Sequence, residues 1–201
     1  MKKIKNIVFD VGNVLVRWDP RFIISQAFPQ HHNPAELATA LFKNQIWLNL
    51  NLGLITEQEA LRHYQQQFGF ENHELQNLME IAKASLTPIE ESINLLKSLQ
   101  QDFELYALTD NTKAIMAYLT QKYDFWPVFQ GIVVSAEVGH LKPSQEIYQH
   151  LLSTYQLIAK ETVFIDDYLI NVEGARKMGI HAIQFQNTQQ CILELQKFIL
   201  I

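Results

Sequence analysis

Residues 4–15 read Ile-Lys-Asn-Ile-Val-Phe-Asp-Val-Gly-Asn-Val-Leu. The first half of this stretch, residues 4–9, is short and largely apolar, and it ends at the carboxylate of Asp10. A run of this kind followed by turn-forming residues is typical of a buried parallel strand. The stretch therefore predicts a first strand that presents Asp10 at its carboxyl end.

Four later runs have the same character, and amphipathic stretches separate them. The runs cover residues 104–108, 131–135, 162–165 and 181–185, and the amphipathic stretches cover 89–99, 113–122, 144–155, 171–178 and 192–201. Alternation of apolar strands with helices is characteristic of α/β folds. We expect a doubly wound, mostly parallel, Rossmann-like sheet of five strands.

The segment between the first two strands departs from this alternation. From residue 17 to residue 86 it contains only helix signals, including Asn33-Pro34 before one apolar stretch and a capping box formed by Thr56 and Glu59 before another. A parallel crossover needs only about a dozen residues. We therefore expect a helical cap domain over residues 17–86, inserted into a core domain formed by residues 1–16 and 87–201.

Composition excludes several classes of protein. The 201 residues are 48% hydrophobic and 18% charged, which is too apolar for intrinsic disorder, and no run of apolar residues is long enough for a membrane span. The formal net charge of −5 disfavours a nucleic-acid partner. A single cysteine, Cys191, excludes an intrachain disulfide framework and fits a reducing compartment. We expect a cytoplasmic protein.

Polar residues follow three of the predicted strands and the turn after a fourth. They are Asp10, Thr109-Asp110, Lys142 and Asp166-Asp167. Because ligands bind outside the carboxyl ends of the strands in such sheets, these residues are expected to share one crevice. Clustered carboxylates suit Mg²⁺, whereas a hydroxyl and a lysine suit a phosphate group. The combination predicts phosphoryl transfer.

At these same positions the sequence resembles the haloacid dehalogenase-like (HAD) hydrolase superfamily, and the resemblance covers nearly the whole chain. The insertion matches the small helical cap of that family, and the form of the first motif is similar to a subgroup of glucose-1-phosphate phosphatase-like proteins. The four motifs occur in order as Ile7-Val8-Phe9-Asp10-Val11-Gly12-Asn13-Val14-Leu15, Ala107-Leu108-Thr109-Asp110-Asn111, Gly139-His140-Leu141-Lys142-Pro143 and Val163-Phe164-Ile165-Asp166-Asp167.

The resemblance implies a Mg²⁺-dependent phosphatase that acts on a small phosphorylated metabolite, such as a sugar phosphate. It implies that Asp10 is the nucleophile and forms an aspartyl-phosphate. Mg²⁺ would be held by Asp10, the main-chain carbonyl of Gly12 and Asp167, with Asp166 behind them or as an alternate ligand. The phosphate would be bound by Thr109 and the amide of Asp110, and Lys142 would neutralise its charge.

Gly12 departs from the pattern of most family phosphatases, which place a second aspartate there as the general acid and base. The candidates to replace this missing aspartate are a water molecule and the nearby carboxylate of Asp19. A structural explanation for Gly12 is also open. In that explanation the turn requires a positive φ, which glycine adopts at little cost. Trp18 and Trp47 lie in or near the insertion, where an aromatic side chain belongs either to the core or to a substrate pocket.

Two other functions share these residues. A haloacid dehalogenase also lacks the second aspartate, but it works without a metal and gains nothing from Asp166-Asp167. A non-catalytic phosphate-binding or regulatory protein would bind phosphate without turnover. The sequence leaves the substrate open, and it leaves the choice between a monomer and a homodimer open as well.

Overall fold

The computed structural model describes residues 4–199, which contain one sheet of five parallel strands in the order β3-β2-β1-β4-β5. This confirms the predicted doubly wound α/β fold, and each predicted strand lies within two residues of its observed bounds. The strands are β1 (Asn6–Phe9), β2 (Glu104–Thr109), β3 (Gly131–Val134), β4 (Thr162–Asp166) and β5 (His181–Gln184).

Eleven α-helices occur within the described residues, six of them outside the inserted segment. Those six are α6 (Glu90–Leu99), α7 (Lys113–Lys122), α8 (Ser135–Val138), α9 (Gln145–Thr154), α10 (Leu169–Lys177) and α11 (Thr188–Ile199). All but the short α8 were predicted, although residues 200 and 201 of the last predicted helix lie outside the described part of the chain. None of the helices within residues 4–199 has the length and apolar character needed to cross a membrane.

The two faces of the sheet carry separate apolar clusters because side chains alternate along each strand. Ile7 and Phe9 of β1 point to the face covered by α6, α7 and α11, whereas Val8 points to the face covered by α9 and α10. Every residue of β1 is buried. This burial on both faces fixes the backbone at the end of β1, where Asp10 begins the following loop.

The inserted segment forms five helices, α1 (Pro20–Ala27), α2 (Pro34–Phe42), α3 (Gln45–Asn51), α4 (Glu57–Phe68) and α5 (Asn72–Ser85). Their apolar faces pack on one another around a third cluster that extends from Ile23 to Ala82. The buried hydroxyl of Tyr64 donates a 2.6 Å hydrogen bond to the carbonyl of Leu41, which joins α4 to α2. The predicted capping box of Thr56 and Glu59 begins α4.

The chain leaves and re-enters the sheet region through two segments that lie side by side. The amide of Arg17 donates to the carbonyl of Thr87, and the amide of Ile89 donates to the carbonyl of Leu15, both at 2.8 Å. A second contact joins α3 to the start of α8, directly after β3, because the Ser135 hydroxyl donates to the carbonyl of Asn51 at 2.7 Å. The five inserted helices are thereby positioned over the carboxyl edge of the sheet.

Candidate active site

Three carboxylates meet at the carboxyl edge, where the neighbouring strands β1 and β4 end. One oxygen from each of Asp10, Asp166 and Asp167 lies within 4.8 Å of the others. The strand order reverses between β1 and β4, so the cluster lies at the topological switch point of the sheet. The structure thus brings together the acidic residues that the sequence placed after the first and fourth strands.

Lys142 is buried among these carboxylates. Its ammonium group lies 2.8 Å from Asp10 Oδ1 and 2.7 Å from Asp166 Oδ2, and it donates to the carbonyl of Leu108 at 3.3 Å. Its own main-chain amide donates to Asp110 Oδ1 at 3.0 Å. The carboxylate of Asp110 therefore holds the loop that carries Lys142. This structural contact is separate from the substrate binding predicted for Asp110.

Burial and neighbouring charges shift the ionisation of the cluster. Burial raises the pKa of Asp10 well above its ordinary value, and the ion pair with Lys142 opposes that rise. Burial also raises the pKa of Asp167, with a further contribution from the charge of Asp166. Burial disfavours the charge of Lys142, but the carboxylates of Asp10, Asp166 and Asp110 outweigh that effect and raise its pKa. The single positive charge of Lys142 therefore does not balance the negative charge of the carboxylates around it.

Asp166 is fully buried, and both of its oxygens are engaged. Oδ1 accepts from the amide of Tyr168 at 2.8 Å, Oδ2 accepts from Lys142, and the Asn171 side chain donates to both oxygens at 3.1 Å. The four motifs quoted from the sequence end at Asp167 and do not include Asn171. Its position one helical turn beyond Asp166 was the available signal, because a residue at the start of α10 reaches back to the strand end.

Asn13 is a site residue that the sequence analysis did not single out. Its backbone has a φ of 54°, a conformation that asparagine tolerates better than most residues. Its side-chain amide donates to Asp167 Oδ2 at 3.3 Å, and its carbonyl oxygen accepts from the amide of Trp18 at 3.0 Å. Asn13 therefore links the acidic cluster to the start of the inserted segment.

The positive φ in this turn belongs to Asn13, and Gly12 is not among the residues with a positive φ. The conformational explanation for Gly12 is therefore wrong. A Cβ built at Gly12 would meet only the Cβ of Trp18, at 4.0 Å. The turn has room for a side chain at the position where most family phosphatases place their acid.

Asp19 is engaged in a local contact at the start of the insertion. Its carboxylate caps α1 and accepts from the amides of Arg21 and Phe22 at 3.0 Å. It lines a neighbouring cleft and is absent from the lining of the cavity that contains Asp10.

A cavity of about 370 Å³ lies between the acidic cluster and the inserted helices. Asp10 Oδ1 is held by Lys142 and by the amide of Val11 at 2.7 Å, whereas Oδ2 has no hydrogen-bond partner within residues 4–199. The main-chain amide of Asp110 likewise has no backbone partner among residues 4–199, and Thr109 lines the same cavity. Groups suited to an incoming anion or electrophile thus lie together beside the cavity.

A match to a family model identifies the family to which this chain belongs. Residues 7–185 match the model of haloacid dehalogenase-like hydrolases. The chain belongs to this family. It is therefore a hydrolase of the HAD type, and the matched residues include all four motifs quoted from the sequence.

Solved structures and curated proteins agree with the family. A HAD family enzyme from Bacteroides thetaiotaomicron, solved as a magnesium complex, has a TM-score of 0.77 and 24% identity over 92% of this chain and 94% of that chain. A sesquiterpene phosphatase from Aspergillus oryzae is 26% identical over 97% of this chain and 96% of its own length. A D-ribitol-5-phosphate phosphatase from B. thetaiotaomicron is 26% identical, with coverages of 92% and 93%. Two further relatives are longer, and the chain spans only 35% and 15% of them.

Proposed function

We propose that the protein is a Mg²⁺-dependent phosphomonoesterase that hydrolyses a small phosphorylated metabolite through an aspartyl-phosphate on Asp10. The observation that carries this proposal is the asymmetric environment of Asp10. One carboxylate oxygen is fixed by Lys142 and Val11, and the other is available beside the cavity. The phosphatases among the relatives support the same reaction. The glucose-1-phosphate phosphatase-like subgroup stays a prediction.

The residues present fit a divalent cation. Asp10, Asp166 and Asp167 bring three carboxylates within 4.8 Å, and Lys142 pairs only with the first two. Asp10, Asp167 and the carbonyl of Gly12 would hold the ion, whereas the fully engaged Asp166 is better placed to position Lys142. A bound Mg²⁺ would favour ionised carboxylates and neutralise charge on the phosphoryl group.

In the first step, Asp10 Oδ2 forms a bond to phosphorus, and the bond between phosphorus and the ester oxygen breaks. The alcohol oxygen leaves with the electron pair of the broken bond and takes a proton from solvent, because Gly12 has no side chain that could act as an acid. A water oxygen then forms a bond to phosphorus, and the bond between phosphorus and Asp10 Oδ2 breaks with its electron pair returning to the carboxylate. The water's protons pass to the released inorganic phosphate and to solvent. The Thr109 hydroxyl and the Asp110 amide donate to the phosphoryl oxygens, and Lys142 stabilises their charge.

A phosphate-release screen tests the function directly. Purified protein is assayed with Mg²⁺, and again with excess EDTA, on aryl phosphates, sugar phosphates, nucleotides and acetyl phosphate. We expect release of phosphate that EDTA abolishes. Metal-independent release of chloride from 2-chloropropionate, without phosphatase activity, would favour the dehalogenase. A phosphorylated Asp10 that never turns over would favour the non-catalytic binding protein.

Asp167→Asn should raise the Mg²⁺ concentration needed for half-maximal activity by about tenfold or more, because the substitution removes an anionic oxygen ligand from a hard cation. The Mg²⁺ dependence of the initial rate measures this change. Asp124→Asn is the matched control, since Asp124 is exposed and absent from the cavity lining. An unchanged Mg²⁺ dependence in Asp167→Asn would remove Asp167 from the metal site.

Gly12→Asp should raise activity on poor leaving groups by about 10²-fold, because a positioned acid can then protonate the departing oxygen. Little change is expected on p-nitrophenyl phosphate, whose leaving group needs no proton. The space beside Gly12 and its ordinary φ predict a melting temperature close to that of the parent. Rates on glucose 6-phosphate and on p-nitrophenyl phosphate, measured side by side, give the result.

Gly12→Asn is the control for this substitution, since it has nearly the same shape and no acidity. A parent enzyme whose rate is insensitive to leaving-group pKa would contradict the argument. Equal acceleration of both substrates by Gly12→Asp would contradict it as well.

A further inference from the structure

Besides the catalytic carboxylates, the cavity is lined by apolar side chains that include two tryptophans. These side chains are Val16, Trp18, Trp47, Leu86 and Ile115. We call this surface the indole wall. From its composition we infer that the leaving group of the substrate is apolar and lies against Trp18 and Trp47. This inference rests on the proposed phosphatase function and narrows its substrate class.

The two indoles are held in place by their neighbours. Trp18 and Trp47 stack with ring centroids 5.8 Å apart and an angle of 12° between their planes. Phe42 packs edge-on against both, at 5.3 Å and 4.9 Å. The amide of Trp18 also donates to Asn13, which contacts Asp167. The indole wall is thus a preformed surface joined to the acidic cluster.

The polar side chains near this wall are already partly engaged within the chain. The Asn51 amide nitrogen donates to the carbonyl of Trp47 at 2.8 Å, and Asn111 Oδ1 accepts from the amide of Thr112 at 2.9 Å. Lys43 and Tyr168 are exposed. A sugar would bring several hydroxyl groups to this surface and leave most of them without partners, which costs free energy on transfer from water.

An apolar leaving group avoids that cost. Removing its surface from water against the indoles is favourable, and aromatic contacts add to the gain. Both halves of a phosphomonoester are then matched, because the phosphoryl group meets Thr109, Asp110 and Lys142 while the organic group meets the indole wall. The predicted sugar phosphate satisfies only the first half.

Two matched substrate pairs test the inference. Hexyl phosphate and glucose 6-phosphate are both esters of primary alcohols, and 1-naphthyl and phenyl phosphate both release phenols of similar acidity. We expect kcat/KM to be about tenfold higher for the more apolar member of each pair. A glucose 6-phosphate rate equal to or above that of hexyl phosphate would overturn the inference while leaving the phosphatase intact. Failure to hydrolyse any of these esters or acetyl phosphate would instead defeat the proposed function.

Trp47→Ala should lower kcat/KM for 1-naphthyl phosphate about tenfold more than it lowers kcat/KM for acetyl phosphate, which is too small to lie along the indole wall. Leu48→Ala is the matched control, because Leu48 is on the same helix, 39% exposed, and outside the cavity lining. Full activity of Trp47→Ala on 1-naphthyl phosphate would contradict contact with Trp47.

If Trp47→Ala also loses activity on acetyl phosphate, Trp47→Phe gives the deciding ratio. The preference for naphthyl over phenyl falls in that variant if the indole contacts the leaving group. An unchanged preference overturns the inference.

Discussion

Asp10→Asn should abolish phosphate release, with a loss on the order of 10⁴-fold or more, because a neutral amide is too weak a nucleophile to form the phosphorylated intermediate. The protein should still fold. Lys142 keeps its ion pair with Asp166 at 2.7 Å, and the substitution removes a carboxylate whose pKa burial already raises. Single-turnover and steady-state assays on acetyl phosphate measure the loss, and thermal melting measures the fold.

Asp102→Asn is the matched control, since Asp102 is exposed, is absent from the cavity lining and lies outside the four motifs. A correctly folded Asp10→Asn protein with more than a few per cent of parental activity would exclude the covalent mechanism. Mass spectrometry after denaturing quench should find a phosphorylated peptide that contains Asp10 in the parent and none in the variant.

Lys142→Met should destabilise the fold by about 3 to 5 kcal/mol and remove activity, because it leaves Asp10 and Asp166 buried without their cation. The methionine side chain has a similar length, so the loss reports the charge more than the volume. Urea unfolding at neutral pH measures the change in free energy. Lys113→Met is the control, because Lys113 lies exposed at the start of α7.

The stability of Lys142→Met should also depend on pH in a defined direction. Without the lysine, the pKa of Asp10 rises further above the ordinary value of 3.8. The folded variant then binds more protons than the unfolded chain, so its free energy of unfolding should fall as pH rises from roughly 5 to 8. A small loss that is constant over this range would show that the Lys142 ion pairs contribute little.

The strands were predictable because burial on both faces leaves a continuous apolar run in the sequence. The helices of the insertion were harder to locate individually. Residues 72–85 form α5, which has an apolar face. Its N-cap is Glu71, and glutamate is not one of the residue types that usually cap a helix. The four-residue helix α8 is too short for any helical periodicity to register. Packing of α1 through α5 on one another fixes their ends, and that information is nonlocal.

The candidate site was predictable where a residue directly follows a strand, as Asp10 and Asp167 do. Contacts formed across loops were not predictable. The bond from Asn13 to Asp167 joins residues 154 positions apart, and it depends on a left-handed turn that no sequence period reveals. The cap that Asp19 places on α1 was missed for a related reason, because a carboxylate near a catalytic motif was interpreted as chemistry when its hydrogen bonds are local.

The segments Leu15–Arg17 and Thr87–Ile89 are hydrogen-bonded to each other and lie between the strands and the inserted helices. The register in which the strands pair therefore does not depend on the inserted helices. Because the hydrogen bonds between these segments already bring the ends of the insertion together, the core does not need any particular length of chain between them. Loop-closure entropy grows only slowly with length. The inserted helices can therefore change in length or be replaced while β1, β2 and the carboxylates at the edge of the sheet stay in place, which separates the part of the chain that carries the chemistry from the part that covers it.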